Sequence, residues 1–393
     1  MYKIINRKKL FATIIADLAG NMIFFPSRLL KKRGEIRPEE VRDILVIRTA
    51  YIGDVVMTIP VLKPLKERFP DARISFLTSR RAGEILENNP YLDDIITYDP
   101  FWFYPSHRKD YLEFIGRLKK KSFDLVIEAR ADIREILFLV WPIKAKFKVS
   151  YDVGGGGYLL TNIVPYEGLS HKVEYHLDIA RYLGCKIDGM EWGIYLSEEE
   201  DKRAARFLLE EGVDFNRPIV AIHPGARKEL KCWSTEGFAK AADILIERFG
   251  VSLIITGAVD EAPIAKEVRG MMKNKCVDLT GRTTLREMAG VIKRCSLFIC
   301  NDSSPMHIAA ALNIPTVAIF GPSKSIETAP YGNQHIVVEK DFPCRYRCDE
   351  DICHFVNHHQ CMKDISVDNV ISAIEKMAPS WIGDKAQLFI NKA

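Results

Sequence analysis

Four stretches of this chain place side chains able to do chemistry at the ends of short β-branched runs. The first, Ile47-Arg48-Thr49-Ala50-Tyr51-Ile52-Gly53-Asp54-Val55-Val56, reads as a strand feeding a loop and a helix, so Asp54 stands near a helix start at a strand's carboxyl edge. An aspartate there is either an N-cap, worth about 1 kcal/mol, or a catalytic acid. In the second, His223-Pro224-Gly225-Ala226, the glycine turn allows close backbone approach, and Arg227, Lys228 and Lys231 follow before Trp233. Three cations behind such a turn suit a diphosphate, or form a solvated loop. In the third, Thr256-Gly257-Ala258-Val259-Asp260-Glu261, a strand ends in a glycine turn followed by acids. That is the placement of a carboxylate gripping ribose hydroxyls, although acids are also common in any first helical turn. The fourth, Cys300-Asn301-Asp302-Ser303-Ser304-Pro305-Met306-His307, brings acid, hydroxyls and proline to a helix start, where free backbone N–H groups form an anion site.

The elements that must hold these residues alternate in βαβ fashion from Arg42 onward. Strands are predicted at Ile44–Arg48, Arg73–Leu77, Ile95–Tyr98 and Leu125–Glu128, with helices at Ile59–Phe69 and Lys109–Lys120. The scheme repeats, with strands at Ile219–His223, Leu253–Thr256, Leu297–Cys300 and Thr316–Phe320 and helices at Thr235–Phe249, Ala262–Lys273, Leu285–Lys293 and Met306–Leu312. Two doubly wound parallel sheets, each binding at the carboxyl ends of its strands, are expected to face a cleft suited to a two-substrate reaction. With 393 residues, 47% of them hydrophobic, the chain is long enough for two such domains.

Charge is divided unevenly. Residues up to Arg33 hold eight Lys or Arg against the single acid Asp17, so that segment is +7 and the rest of the +4 chain is −3. A net negative body argues against nucleic acid as a partner. Between the basic clusters, Leu10–Phe25 has Asp17 as its only charge, and Thr13, Asp17 and Asn21 make one polar stripe on a helix. The run is shorter than the ~20 residues of a spanning helix and has no small-residue cleavage site after it. It reads as a helix lying on an anionic membrane surface, or as one packed on the protein body. Nine scattered cysteines fit a reducing compartment.

In this order and spacing the four motifs resemble glycosyltransferase family 9, the ADP-heptose:lipopolysaccharide heptosyltransferases, over roughly Ile44 to Ile374. The Lys-x-Trp at 231–233, Asp278-Leu279-Thr280-Gly281 and Phe320-Gly321-Pro322 belong to the same pattern. The resemblance implies an α/β chain of GT-B type with two Rossmann-like domains. Residues 41–190 would bind the acceptor and residues 191–360 the nucleotide sugar, flanked by a membrane-associating segment and linker at 1–40 and a helix and tail at 361–393. It implies an inverting enzyme without metal or cofactor, using a donor such as ADP-heptose and a glycolipid acceptor at the cytoplasmic face of the membrane. Residue by residue, Asp54 matches the general base and Lys231 the lysine on the donor phosphates. Glu261 falls at the ribose carboxylate and Asp302 at the donor sugar, while Gly225, Ser303, Ser304 and His307 complete the donor pocket. Arg130 and Arg134 lie where the family binds its acceptor, in a stretch that departs from the usual Ala-Gln-Gly-x-x-Lys-Ser; Ser304 also replaces a common glycine.

Other readings are a nucleotide-sugar epimerase of the hydrolysing type, which needs no separate acceptor, and a binding module without catalysis. Asp349-Glu350-Asp351 reads as a solvated run. The spacing of Cys344, Cys348, Cys353 and Cys361, with His354, His358 and His359 nearby, matches no standard zinc finger, and no metal is assigned.

Overall fold

Aliphatic runs that are buried on both faces must be covered by helices on each side, which is the condition for a parallel sheet. The computed structural model, which describes residues 7–30, 35–105, 107–189, 191–345, 348 and 351–382, contains two such sheets in two compact units, residues 1–192 and 193–393. The predicted cations Lys3, Lys31, Lys32 and Arg33, the acids Asp349 and Glu350, and residues 383–393 of the tail lie outside the described residues.

In the first unit, β1 (Asp43–Ile47), β2 (Arg73–Thr78), β3 (Asp94–Thr97), β4 (Ser122–Glu128), β5 (Lys144–Ser150) and β6 (Asn162–Ile163) pair in the order β3-β2-β1-β4-β5-β6, all parallel. The second repeats this order. There β7 (Ile219–His223), β8 (Ser252–Ile255), β9 (Val277–Asp278), β10 (Leu297–Asn301), β11 (Thr316–Phe320) and β12 (His335–Glu339) run β12-β11-β10-β7-β8-β9, again all parallel. Each sheet reverses its strand order once, between β1 and β4 and between β7 and β10. At such a reversal the loops leaving two adjacent strands part to opposite faces and open a crevice. The loops at these two points carry Asp54, Arg130 and Arg134 in the first unit and Gly225, Lys231, Asp302 and Ser303 in the second.

The expected strands are present, while β5, β6, β9 and β12 were not foreseen. The predicted helix Ile59–Phe69 is broken. It comprises a 3₁₀ turn at Ile59–Val61 and an α-helix at Leu62–Arg68, preceded by α-helix Ile52–Thr58. Pro60 opens the 3₁₀ turn, where its missing N–H is tolerated.

The N-terminal segment is a helix, α1 (Arg7–Leu30), packed on the first unit with its polar stripe inward. Thr13, Asp17 and Gly20 are buried, and Asp17 Oδ1 accepts the Gly156 N–H at 2.8 Å. Gly20 is required for this approach, since a Cβ there would sit 2.2 Å from the Tyr158 ring. Phe24 stacks on Tyr158 and meets Trp141 edge-on. Among the described residues no helix is long and apolar enough to cross a membrane.

Candidate active site

In the first unit the chain leaves β1 through Arg48 and Thr49, both buried, and turns at Tyr51, whose φ of 58° is the left-handed region that non-glycine residues seldom adopt. The turn starts helix Ile52–Thr58 with Tyr51 as the backbone N-cap and no side-chain cap. Asp54 is therefore the third helical residue and not the cap. Its carboxylate is engaged by Arg48, Nη2 to Oδ1 at 2.7 Å, with the two side chains 5% and 20% exposed. Burial pushes the Asp54 carboxyl up, but Arg48 first, then Arg130 and Lys172, outweigh it and hold the group below the ordinary carboxylate range. Asp54 is thus an anion at neutral pH. Beneath it, burial drops the His176 pKa to about 3, so the ring is neutral, and its Nδ1 bonds the Met57 carbonyl at 3.0 Å.

The loop after β4 is assembled by buried carboxylates. Glu128, at the strand's end, accepts the N–H groups of Arg130 (3.1 Å) and Ala131 (2.8 Å) and the Ser150 hydroxyl (2.6 Å). Glu135 accepts the Thr49 hydroxyl at 2.5 Å, tying this loop to the one after β1. Burial and then the neighbouring Glu135 push the Glu128 carboxyl up. Asp132 caps the short helix Ile133–Glu135 and holds the Arg134 guanidinium through both oxygens, at 2.9 and 2.6 Å. Arg130 and Arg134 lie over the Phe103 ring, 4.0 and 4.5 Å from its centroid. The structure therefore brings Asp54, Arg130 and Arg134 into one charged constellation. Phe103, Lys172 and His176 join it although sequence reasoning did not single them out; Arg48, quoted in the first motif without a role, joins through a buried pair with a residue six positions on, which carries no periodic signal.

In the second unit, Asn301 at the end of β10 fixes the neighbouring loop. Its Nδ2 donates to the Pro224 carbonyl (2.8 Å) and its Oδ1 accepts the Trp233 N–H (3.0 Å). Trp233 Nε1 donates in turn to the Ile365 carbonyl at 2.9 Å. Lys231 ends the 3₁₀ turn Glu229–Lys231 and pairs with Asp302, Nζ to Oδ2 at 2.9 Å. Glu261 packs on Gly225, where a Cβ would come within 2.2 Å of its Oε1. Its Oε2 accepts the Ala258 N–H at 2.7 Å and lies 3.5 Å from His223 Nε2. Helix Ser304–Ala311 starts with Ser303 at the cap position, no side-chain cap bond, and Pro305 in its first turn. Pro305 carries no N–H and the Met306 N–H donates to the Ser303 carbonyl at 3.1 Å, so Ser304 supplies the first-turn amide at this corner, next to Asp302. The Ser303 hydroxyl is buried without a hydrogen-bond partner among the described residues, and His307 is buried.

Cys344, Cys348, Cys353, His359 and Cys361 line a small cavity with Leu230, Gly321 and Pro322. His359 Nε2 donates to the Leu230 carbonyl at 2.8 Å and so braces the turn that carries Lys231. Among the described residues no three His, Cys, Asp or Glu side chains are grouped to hold a metal ion. Asp351 pairs with Lys228 at 2.5 Å on the surface.

A sequence profile described as glycosyltransferase family 9 (heptosyltransferase) matches residues 111–355. Lipopolysaccharide heptosyltransferase 3 of Escherichia coli K12 is 29% identical over 349 residues, spanning 84% of this chain and 96% of the relative. Among solved structures, a family 9 glycosyl transferase from Veillonella parvula superposes with a TM-score of 0.76 at 23% identity, covering 88% of this chain and 99% of that one. The E. coli ADP-heptose lps heptosyltransferase II does so at 0.68 and 22% identity, covering 85% and 98%. These likenesses give the fold, two Rossmann-like units of GT-B type.

Proposed function

The chain belongs to glycosyltransferase family 9, and from that premise we propose that it moves a heptose, or a closely similar sugar, from a nucleoside diphosphate donor of the ADP-heptose kind to a lipopolysaccharide core or related glycan, with inversion and without a metal ion. The observation that carries this reading is the ionised Asp54 held by Arg48 at the switch point of the first sheet. The first unit is read as the acceptor side, the second as the donor side, and the enzyme as working at the cytoplasmic face of the membrane.

An acceptor hydroxyl is a poor nucleophile at neutral pH, and a carboxylate that takes its proton during attack contributes roughly 10²–10⁴ in rate. A carboxylate lowered by Arg48 is a weak base, yet the hydroxyl becomes strongly acidic once its oxygen bonds to an oxocarbenium-like carbon. Proton transfer late in the step suits such a base, and the ion pair keeps it unprotonated. On the donor side, negative charge grows on the departing diphosphate. Lys231, the Ser303 hydroxyl and the Ser304 amide at the start of helix Ser304–Ala311 are the groups that would stabilise it. Lys231 exchanges its pairing with Asp302 for the phosphates, which frees the Asp302 carboxylate for sugar hydroxyls. Arg130 and Arg134, stacked on Phe103, form a cationic shelf for the acceptor.

The test is incubation with ADP-heptose and a heptose-deficient core acceptor in the presence of chelator, followed by mass spectrometry. A mass gain of one heptose and strictly acceptor-dependent release of ADP are expected. ADP release or epimerised sugar without acceptor would overturn the reading in favour of an epimerase.

A further inference from the structure

α1 is inverted relative to an ordinary surface helix, which turns apolar residues to the core and polar ones to water. Its inward face is Thr13, Asp17 and Gly20, latched by the Gly156 N–H. Its outward face is Phe11, Ile15, Leu18 and Met22, at helical spacing, joined by Ile23, and these are 51 to 75% exposed. A contiguous apolar stripe that the fold itself points into water marks a docking surface. Charge flanking it in the sequence selects the partner. The sequence sets Lys3, Arg7, Lys8 and Lys9 before the stripe and Arg28, Lys31, Lys32 and Arg33 after it. Phe24 touches Trp141, half exposed, whose carbonyl accepts the Lys148 ammonium at 2.9 Å, and Lys144 lies exposed on the same strand. Apolar stripe, interfacial tryptophan and surrounding cations are the chemistry of an anionic lipid surface.

The latch also reaches the candidate acceptor loop. Gly155 and Gly156, both at positive φ, pack against Thr13 of α1 on one side and Ile133 and Ile136 on the other, and a Cβ on Gly154 would meet the Ala131 carbonyl at 1.6 Å. One turn of glycine backbone therefore separates α1 from the segment that carries Arg130 and Arg134. We propose that α1 docks the enzyme on an anionic bilayer, apolar face in the lipid and polar face on the protein, and thereby presents the Arg130–Arg134 loop to a membrane-held acceptor. The second half rests on the transferase reading given above; the docking does not.

The experiment uses the full chain and a Leu18→Glu/Met22→Glu variant, whose sites are 62% and 75% exposed, with folding of both checked by circular dichroism. Co-sedimentation is measured with vesicles of phosphatidylethanolamine and phosphatidylglycerol and with pure phosphatidylcholine. The wild type is expected to bind anionic vesicles at least tenfold more than the variant, with binding weakened by salt. Equal binding by both, or a concentration-dependent dimer in sedimentation analysis that the variant abolishes, would overturn the lipid assignment. Transfer to a deacylated, water-soluble acceptor should be unchanged in the variant while transfer to acceptor in vesicles falls at least about tenfold; an equal rate on both would overturn the coupling to the loop. If the wild type transfers to neither acceptor, the transferase reading fails while the vesicle result stands by itself.

Discussion

The two switch points carry opposite kinds of electrostatics. In the first unit, Asp54 belongs to a buried interlock in which Arg48, Thr49, Glu128 and Glu135 are all nearly inaccessible to water and tie the loops after β1 and β4 together. In the second, one ion pair, Lys231 with Asp302, as buried as the Arg48–Asp54 pair but outside any comparable network of carboxylates, lies beside the start of helix Ser304–Ala311, which has no side-chain cap. A group that must keep one protonation state and one position through turnover is served by a fixed network. A group that must let go of one anion to take another is served by a partner it can exchange. Under the proposed reading the half-sites differ as a base differs from a leaving-group cradle.

The largest effect should come from breaking the interlock. Arg48→Met removes the direct ion-pair partner of Asp54 and should cost about 3–5 kcal/mol, read by denaturant unfolding. The pH dependence gives the sign. Asp54 has a depressed carboxyl in the folded state, so its contribution to stability is present above the unfolded carboxylate value and lost as pH falls through the folded one. The variant should lack that acid-side loss, and a stability–pH curve parallel to the wild type would remove Arg48 from its role.

Next in size is Asp54→Asn, which keeps side-chain volume but removes the base. Turnover should fall at least about 10² while donor affinity stays the same. Lys231→Ala should act on the other half-site, weakening nucleoside diphosphate binding by about 1.5–3 kcal/mol in calorimetry, with a smaller change in acceptor KM. Were the two variants to reduce the same parameter equally, the division of labour between the units would be wrong. The smallest effect on folding is expected for Asp302→Asn, about 1–3 kcal/mol, because the amide oxygen can still accept from Lys231 where Arg48→Met leaves no donor in place. A loss as large as that of Arg48→Met would make the second half-site an interlock too.

Sequence alone carried the two sheets and the strand ends that matter, because the β1, β4, β7 and β10 runs are aliphatic, with β4 ending in an acid, β7 and β10 followed by proline or acid, and β1 by a loop to Gly53 and Asp54. It missed β5, although Lys144, Lys146 and Lys148 alternate with Ala145, Phe147 and Val149 at the period of a strand, and it missed β6 and β9, which have two residues each. The helix at 59–69 was drawn as one because its apolar spacing continues across Pro60. The direction of α1 was legible in part. Thr13, Asp17 and Asn21 read as a stripe, but a polar stripe is ordinarily assigned to water, whereas in the structure Asp17 turns inward to accept the Gly156 N–H. Asp54 itself was visible, yet its ion pair was not, since the Arg48 partner is set by a turn at positive φ that Tyr51 does not advertise.

The central claim, that Asp54 takes the acceptor's proton as the glycosidic bond forms, is tested most directly by rapid-quench single turnover. Enzyme saturated with ADP-heptose is mixed with excess core acceptor, and bond formation is followed in the wild type and in Asp54→Asn. The account predicts that the variant, loaded with donor to the same extent, forms the bond at least about 10² more slowly. Bond formation at the wild-type rate in the loaded variant would contradict it.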